Sequence, residues 1–203
     1  DLQKMEKFMQ GKPVAEQEIG RQLLAETASY AESSVCRRRS LLHYFGEAYE
    51  DENCGNCDNC LNTRKKVEAK DDLSAALETI AALKEKFKTE YIIDMMLGKE
   101  NSDIKSYGHD GLEVFGSAEG SDAQHLNAVI RQAILEGYIE RGIENYGILR
   151  ITDKGRAFLK HPKSFRIVED GDFAEEEEEP IVKGGSACAA DPELYAILTA
   201  LRK

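Results

Sequence analysis

Cys54, Cys57 and Cys60 stand in the run CGNCDNC, a C-x2-C-x2-C pattern, and Cys36 lies upstream with 17 residues between it and Cys54. Zinc prefers four soft ligands in a tetrahedron, and thiolates at about 2.3 Å satisfy it. A C-x2-C turn brings two sulfurs within reach of one ion, and Gly55 and Asn56 suit such a turn. A third thiolate and the upstream fourth then close the shell. The expected site is one structural Zn2+ on Cys36, Cys54, Cys57 and Cys60, clamping the CGNCDNC loop onto a helical hairpin. The filled site would carry net negative charge, which Arg37, Arg38, Arg39, Arg64 and Lys65 would offset. Three other uses of the cysteines compete. A disulfide framework needs an oxidising compartment, and no export signal is visible. A redox C-x-x-C expects a βαβ context, which is absent. An iron–sulfur cluster stays open on the residues alone, because thiolates do not name the metal. Cys188 lies in an acidic stretch and reads as a free thiol.

The second chemistry is phosphate binding. A helix N-terminus offers free N–H groups and a partial positive charge. The segment SDAQ reads as a capping box, Ser121 with Gln124, opening a helix. Ser121, Gln124, His125, Asn127 and Arg131 could donate to phosphate or sugar, with Lys105 and Ser106 flanking the same backbone. Tyr146, at the tip of a hairpin, could stack on a base, although a Tyr on a turn is more often a solvated or half-packed residue. His109 in YGHDGL reads as a loop brace.

The elements that must position these groups are set by periodicity. Residues 16–31 read as a helix through Ile19, Leu23, Leu24 and Ala28. Ser33 and Ser34 offer N-caps for a second, CRRRSLLHYF, with Leu41, Leu42 and Phe45 as its buried stripe. Residues 62–72 are poor in apolar side chains and read as a linker. Leu73, Ala76, Leu77, Ile80 and Leu83 mark the next helix face. YIIDMMLG comes after it, and then the helix of Leu126, Val129, Ile130 and Ala133, ending at Gly137. YIER and ILRIT alternate as the strands of a β-hairpin, and Thr152 can cap a last helix, DKGRAFLK. The expected fold is mostly α with a small β-hairpin: a zinc-bound helical hairpin over 16–61 and a winged-helix, helix-turn-helix domain over 73–162. An acidic spacer is expected over 163–190 and a further helix over 191–203.

The balance of 203 residues bears on class. Apolar residues make up 41 %, enough for a core, and no run is long and apolar enough to span a membrane. Net charge is −11, but residues 163–203 carry −5 of it, so the sum says little about the local field elsewhere.

The motifs are denser than a generic zinc signature. CRRRSLLHYFGE with CGNCDNC after it resembles the zinc-binding segment of bacterial RecQ helicases. IKSYGHDGLEVFG and VIRQAILEGYI resemble their winged-helix, or RQC, domain, and DPELYAILTALRK the start of their helicase-and-RNase-D C-terminal (HRDC) domain. Residues 1–15 look like the trailing edge of the second RecA-like motor lobe. The resemblance implies a region of an ATP-dependent 3′-to-5′ DNA helicase of recombination and repair, with links to the SOS response. It matches Cys36, Cys54, Cys57 and Cys60 to the zinc ligands one for one. No phosphate-loop motif occurs, so ATP and Mg2+ would belong to motor domains outside these residues, and no catalytic residue is expected here. The implied partners are DNA (tailed duplexes, forks, G-quadruplexes) and single-stranded-DNA-binding protein, with no membrane, in a bacterial, nucleoid-associated cytoplasm. The competing classes are a protein-interaction module and a stand-alone zinc and winged-helix regulator.

Overall fold

The computed structural model describes residues 2–168, apart from 48, 52, 63 and 143–146, and the single residue Ala200. The wing tip with Tyr146, the acidic run, Cys188 and nearly all of 191–203 lie outside the described residues.

The first half is helical. α1 (Leu2–Met9) leads to α2 (Val14–Glu32), which turns into α3 (Arg37–Tyr44) and the short α4 (Asp58–Leu61). The expected hairpin is present, but its apolar stripe is not buried. Ile19, Leu23, Leu41 and Phe45 are all exposed, Phe45 at 69 %. Ser33 and Ser34 do not cap α3. Both are buried, Cys36 takes the N-cap position, and the Ser33 hydroxyl accepts from the Val35 N–H at 3.1 Å. Among the described residues before 65, Cys36 is the one buried apolar side chain. This module is held by its metal ligands and polar contacts, not by a core.

The second half has the core. α5 (Lys70–Ala82), α6 (Thr89–Met96), α7 (Ser102–Tyr107) and α8 (Ala123–Leu135) precede β2 (Ile139–Gly142), β3 (Ile148–Ile151) and α9 (Asp153–Lys160). The periodic faces read from sequence are the faces buried: Leu73, Ala76, Leu77, Ile80 and Leu83 on or just after α5, and Leu126, Val129, Ile130 and Ala133 on α8, none above 3 % exposed. Each buried Leu or Ile contributes about 1.5–3 kcal/mol. β2 and β3 pair antiparallel, Ile139 opposite Ile151 and Gly142 opposite Ile148, as the hairpin reading expects. Thr152 caps α9, its hydroxyl accepting from the Gly155 N–H at 3.1 Å.

The stretches expected to be linker and spacer differ. Residues 66–68 form β1 (Lys66–Glu68), α5 starts at Lys70, and β4 (Arg166–Val168) pairs antiparallel with β1. The reason is two apolar residues in polar company. Phe165 and Ile167 are 2 % and 1 % exposed and pack into the core, so the chain around them is drawn in. Gly98, with φ +68°, ends the segment after α6, and a Cβ there would stand 3.3 Å from the Gly116 Cα. That close approach lets the loop before α8 pin itself to α6, the Gly116 and Ala118 N–H groups donating to Met95 and Met96 carbonyls.

Candidate metal centre and nucleic-acid interface

The four sulfurs converge. Sγ atoms of Cys36, Cys54, Cys57 and Cys60 all lie within 4.8 Å of one another, with Cys57–Cys60 at 3.3 Å and Cys54–Cys60 at 4.0 Å. A tetrahedron of thiolates around zinc has edges of about 3.8 Å, so the donors present fit that ion. Cys36 comes from the α2–α3 turn, Cys57 from the N-cap of α4, Cys60 from within α4, and Cys54 from the loop before it. As thiols they are unequal. The backbone N–H of Asn56 brings Cys54 down to about 6, while burial pushes Cys60 up to about 12. Cys57 is lowered, its burial outweighed by the Arg37 and Cys60 backbone N–H groups and the Cys60 thiol. All four positions are protein, so the centre has no open place for a substrate.

Polar braces hold the loop. Arg37 forks onto Asp58 and also donates to the Tyr30 and Ala31 carbonyls. Asn59 donates to the Ser33 and Val35 carbonyls at 2.7 and 2.8 Å, and Arg64 to the Ser34 hydroxyl at 2.8 Å. Arg37, expected to offset the charge of the filled site, is also a clamp joining α2, α3 and α4.

Among the described residues, those expected to meet DNA lie on α7, on α8 and, for Ser121, in the loop before α8. Asp122, not Ser121, is the N-cap of α8, and it makes no side-chain cap bond, so the expected capping box is not formed. A short polar residue stands at both positions, and spacing alone does not choose between them. Gln124 and Asn127 are both exposed in the first turns, Asn127 donating to the Ala123 carbonyl. His125 Nε2 lies 2.9 Å from Asp72 on α5 and ties the two helices together. Arg131 donates to the Ser29 hydroxyl of α2 at 2.9 Å. Lys105 and Ser106 sit on α7, Lys105 paired with Glu100 at 2.7 Å and Ser106 donating to the Asp103 carbonyl. His109 is the brace expected: its Nδ1 meets the Tyr91 hydroxyl at 2.7 Å, and its ring stacks on Tyr107.

One set of residues was not foreseen. Glu18 pairs with Lys88, Glu26 with Arg141, and Ser29 with Arg131, while Gly147 comes against the Gln22 amide. The polar period 18, 22, 26, 29 on α2 is present in the sequence, beside an apolar stripe of the same helical spacing that gives the stronger signal.

Two family models match. The RecQ zinc-binding model covers residues 1–61, and the RQC domain model residues 63–176. The chain is 33 % identical over 138 residues to an ATP-dependent DNA helicase RecQ of Pasteurella multocida, covering 68 % of this chain and 22 % of that protein. It is 32 % identical over 158 residues to the ATP-dependent DNA helicase RecQ of Haemophilus influenzae, covering 77 % of this chain and 25 % of that one. A RecQ-like DNA helicase, blm-1, of Caenorhabditis elegans is 26 % identical over 164 residues, covering 70 % of this chain and 17 % of that protein. The chain thus spans about a quarter of the length of its bacterial relatives.

Proposed function

This chain belongs to the RecQ helicase family, as a zinc-binding and RQC region, and from that premise we propose that it holds one structural zinc and seats duplex DNA beside a single-stranded tail, in support of strand separation by an ATP-dependent 3′-to-5′ helicase. The observation that carries the reading is the closed four-sulfur shell, braced by Arg37 and Asn59, set in one unit with a winged-helix domain. When bound, the zinc supplies cross-linking, not reactivity. The residues of this chain do the rest: α8 presents Gln124 and Asn127 in its first turns, α7 presents Lys105 and Ser106, and the hairpin sequence carries Tyr146. ATP and Mg2+ belong to the remaining length of such a helicase. The same reading puts the protein in a bacterial cytoplasm, in repair, recombination and the SOS response, with forks and G-quadruplexes among the substrates.

Binding of a 3′-tailed duplex, measured by fluorescence anisotropy against salt, tests this. Phosphate-dominated binding falls with a log–log slope near 0.9 per contacted phosphate. A flat response, or equal affinity for a single strand alone, contradicts it.

A protein-interaction role has one observation in its favour. Ten of the eleven exposed large apolar side chains among the described residues lie before residue 62, including Phe8, Phe45 and Leu61. Titration with an acidic, Phe-terminated peptide like the tail of single-stranded-DNA-binding protein separates the two roles, which can coexist.

A further inference from the structure

One face of α2 meets the winged-helix domain through polar groups in register. Glu18, Gln22, Glu26 and Ser29 recur at steps of four, four and three, one side of a helix over about 16 Å. Opposite them stand Lys88, which bridges to Ile148 of β3, then Gly147, Arg141 of β2 and Arg131 of α8. Glu18 pairs with Lys88, Glu26 with Arg141, and the Ser29 hydroxyl accepts from Arg131. α2 buries no side chain in making these contacts. The pairs are part-exposed, Lys88 and Glu18 at 47 % and 32 %, Arg141 and Glu26 at 22 % and 26 %. Such pairs hold weakly and are screened by salt. The groups engaged are the ammonium of Lys88 before α6 and the guanidiniums of Arg141 on β2 and Arg131 on α8. A guanidinium fork that accepts a carboxylate accepts a phosphate equally well.

We propose that Lys88, Arg141 and Arg131 form a phosphate-binding surface of the winged-helix domain, and that the Glu18–Ser29 face of α2 occupies it in place of a nucleic-acid strand. DNA then reaches this surface only as α2 moves aside. The inference rests on the DNA-binding reading above and adds both a surface and its regulation. Glu18 is suited to the part, because the Lys88 ammonium holds its carboxyl below the usual range and so keeps it charged. Arg21, which also reaches Glu18 at 3.4 Å, keeps that carboxylate partnered when Lys88 is withdrawn.

The test uses the full chain, zinc-loaded, with a 3′-tailed duplex at fixed salt. E18Q/E26Q is compared with E16Q/E32Q, which makes the same charge change at two exposed positions of α2 away from the contact. The expected result is tighter binding by E18Q/E26Q, about five-fold beyond the control, and weaker binding by R141Q. Carbodiimide labelling of Glu18 and Glu26, read by mass spectrometry, should rise in the wild-type chain when the duplex is added. If E18Q/E26Q matches its control and labelling does not rise, α2 is no stand-in and the inference falls while DNA binding stands. Tighter binding by R141Q makes Arg141 a lock only, and overturns the phosphate surface. Absence of binding in every variant overturns this inference and the DNA reading together.

Discussion

Arg37 Nε lies 3.1 and 3.3 Å from the two carboxylate oxygens of Asp58, and Nη2 lies 3.0 Å from Oδ2. Two residues 21 positions apart are thus locked as a fork on a carboxylate. Each adjoins a metal ligand, Arg37 next to Cys36 and Asp58 next to Cys57. The pair sets the orientation of two sulfurs from different segments. Outer partners of this kind tune metal affinity.

Arg37→Gln removes the fork and the bonds to the Tyr30 and Ala31 carbonyls. Zinc affinity, measured by competition with a chromophoric chelator, should fall about ten-fold. Arg38→Gln, on an exposed neighbour, should leave it unchanged. Equal losses in the two variants would show that net charge, not the clamp, matters.

Chelation should unfold one part of the described structure and spare the other. The buried core cluster lies wholly within residues 69–167. With the metal removed, α2 to α4 should lose amide protection, because metal binding there is part of folding. Leu73, Leu77 and Leu126 lie at 0 % exposure, and amides of α5 and α8 should stay protected. Hydrogen exchange by mass spectrometry reads both; cooperative loss across the chain would contradict the division.

Gly155→Ala places a Cβ 2.3 Å from the Tyr138 carbonyl oxygen and 2.8 Å from Ile151 Cγ2. Helix propensity favours Ala, but backbone on one side cannot yield. The variant should be less stable by about 2 kcal/mol in urea unfolding, a typical overpacking cost. Stabilisation would mean that α9 can shift off the hairpin.

Glu68 accepts from the Ser164 hydroxyl at 2.6 Å and the Phe165 N–H at 2.9 Å. The Ser164 bond first, then the Phe165 N–H, hold its pKa below the ordinary value. A depressed carboxylate stabilises the fold above its unfolded value, about 4.3, and that contribution is lost as pH falls through the lower folded value. Glu68→Ala should therefore flatten the acid limb of the stability curve. It should also speed exchange of the Ala69 amide, which donates to the Phe165 carbonyl, about ten-fold at neutral pH. An unchanged acid limb would place the pH dependence elsewhere.

Lys105→Ala should reduce the salt slope of tailed-duplex binding by about 0.9, one phosphate contact, with little change in base preference. A slope equal to that of the wild type would show that Lys105 stays with Glu100 when DNA is bound.

What the sequence revealed depended on how local the signal was. The metal centre was legible because its spacing is short and its ligand chemistry narrow: Cys54, Cys57 and Cys60 fall within the one run CGNCDNC. Leu73–Leu83 and Leu126–Ala133 were legible because 3.6-residue periodicity marks a face that must be covered. The same rule misled at Ile19, Leu23 and Leu41, which repeat helically yet face solvent. Periodicity shows that a face is apolar, not that its cover lies within the same residues. β1 and β4 were missed because a three-residue pairing across about a hundred positions leaves no local pattern. His125 and Arg131 were expected to donate to DNA, and their partners within the fold, Asp72 and Ser29, are 53 and 102 residues away, beyond any local pattern.

The pairing of Lys66 with Val168 brings the two ends of the winged-helix domain out side by side. Tension between the chain before Lys66 and the chain beyond Val168 would therefore peel this seam open rung by rung, as a zipper parts from its open end. Three residue pairs, and then the bond from the Ala69 N–H to the Phe165 carbonyl, would give way before the force reached Leu73. Each rung lost would also draw on the core, because Ile167 and then Phe165 would have to leave it.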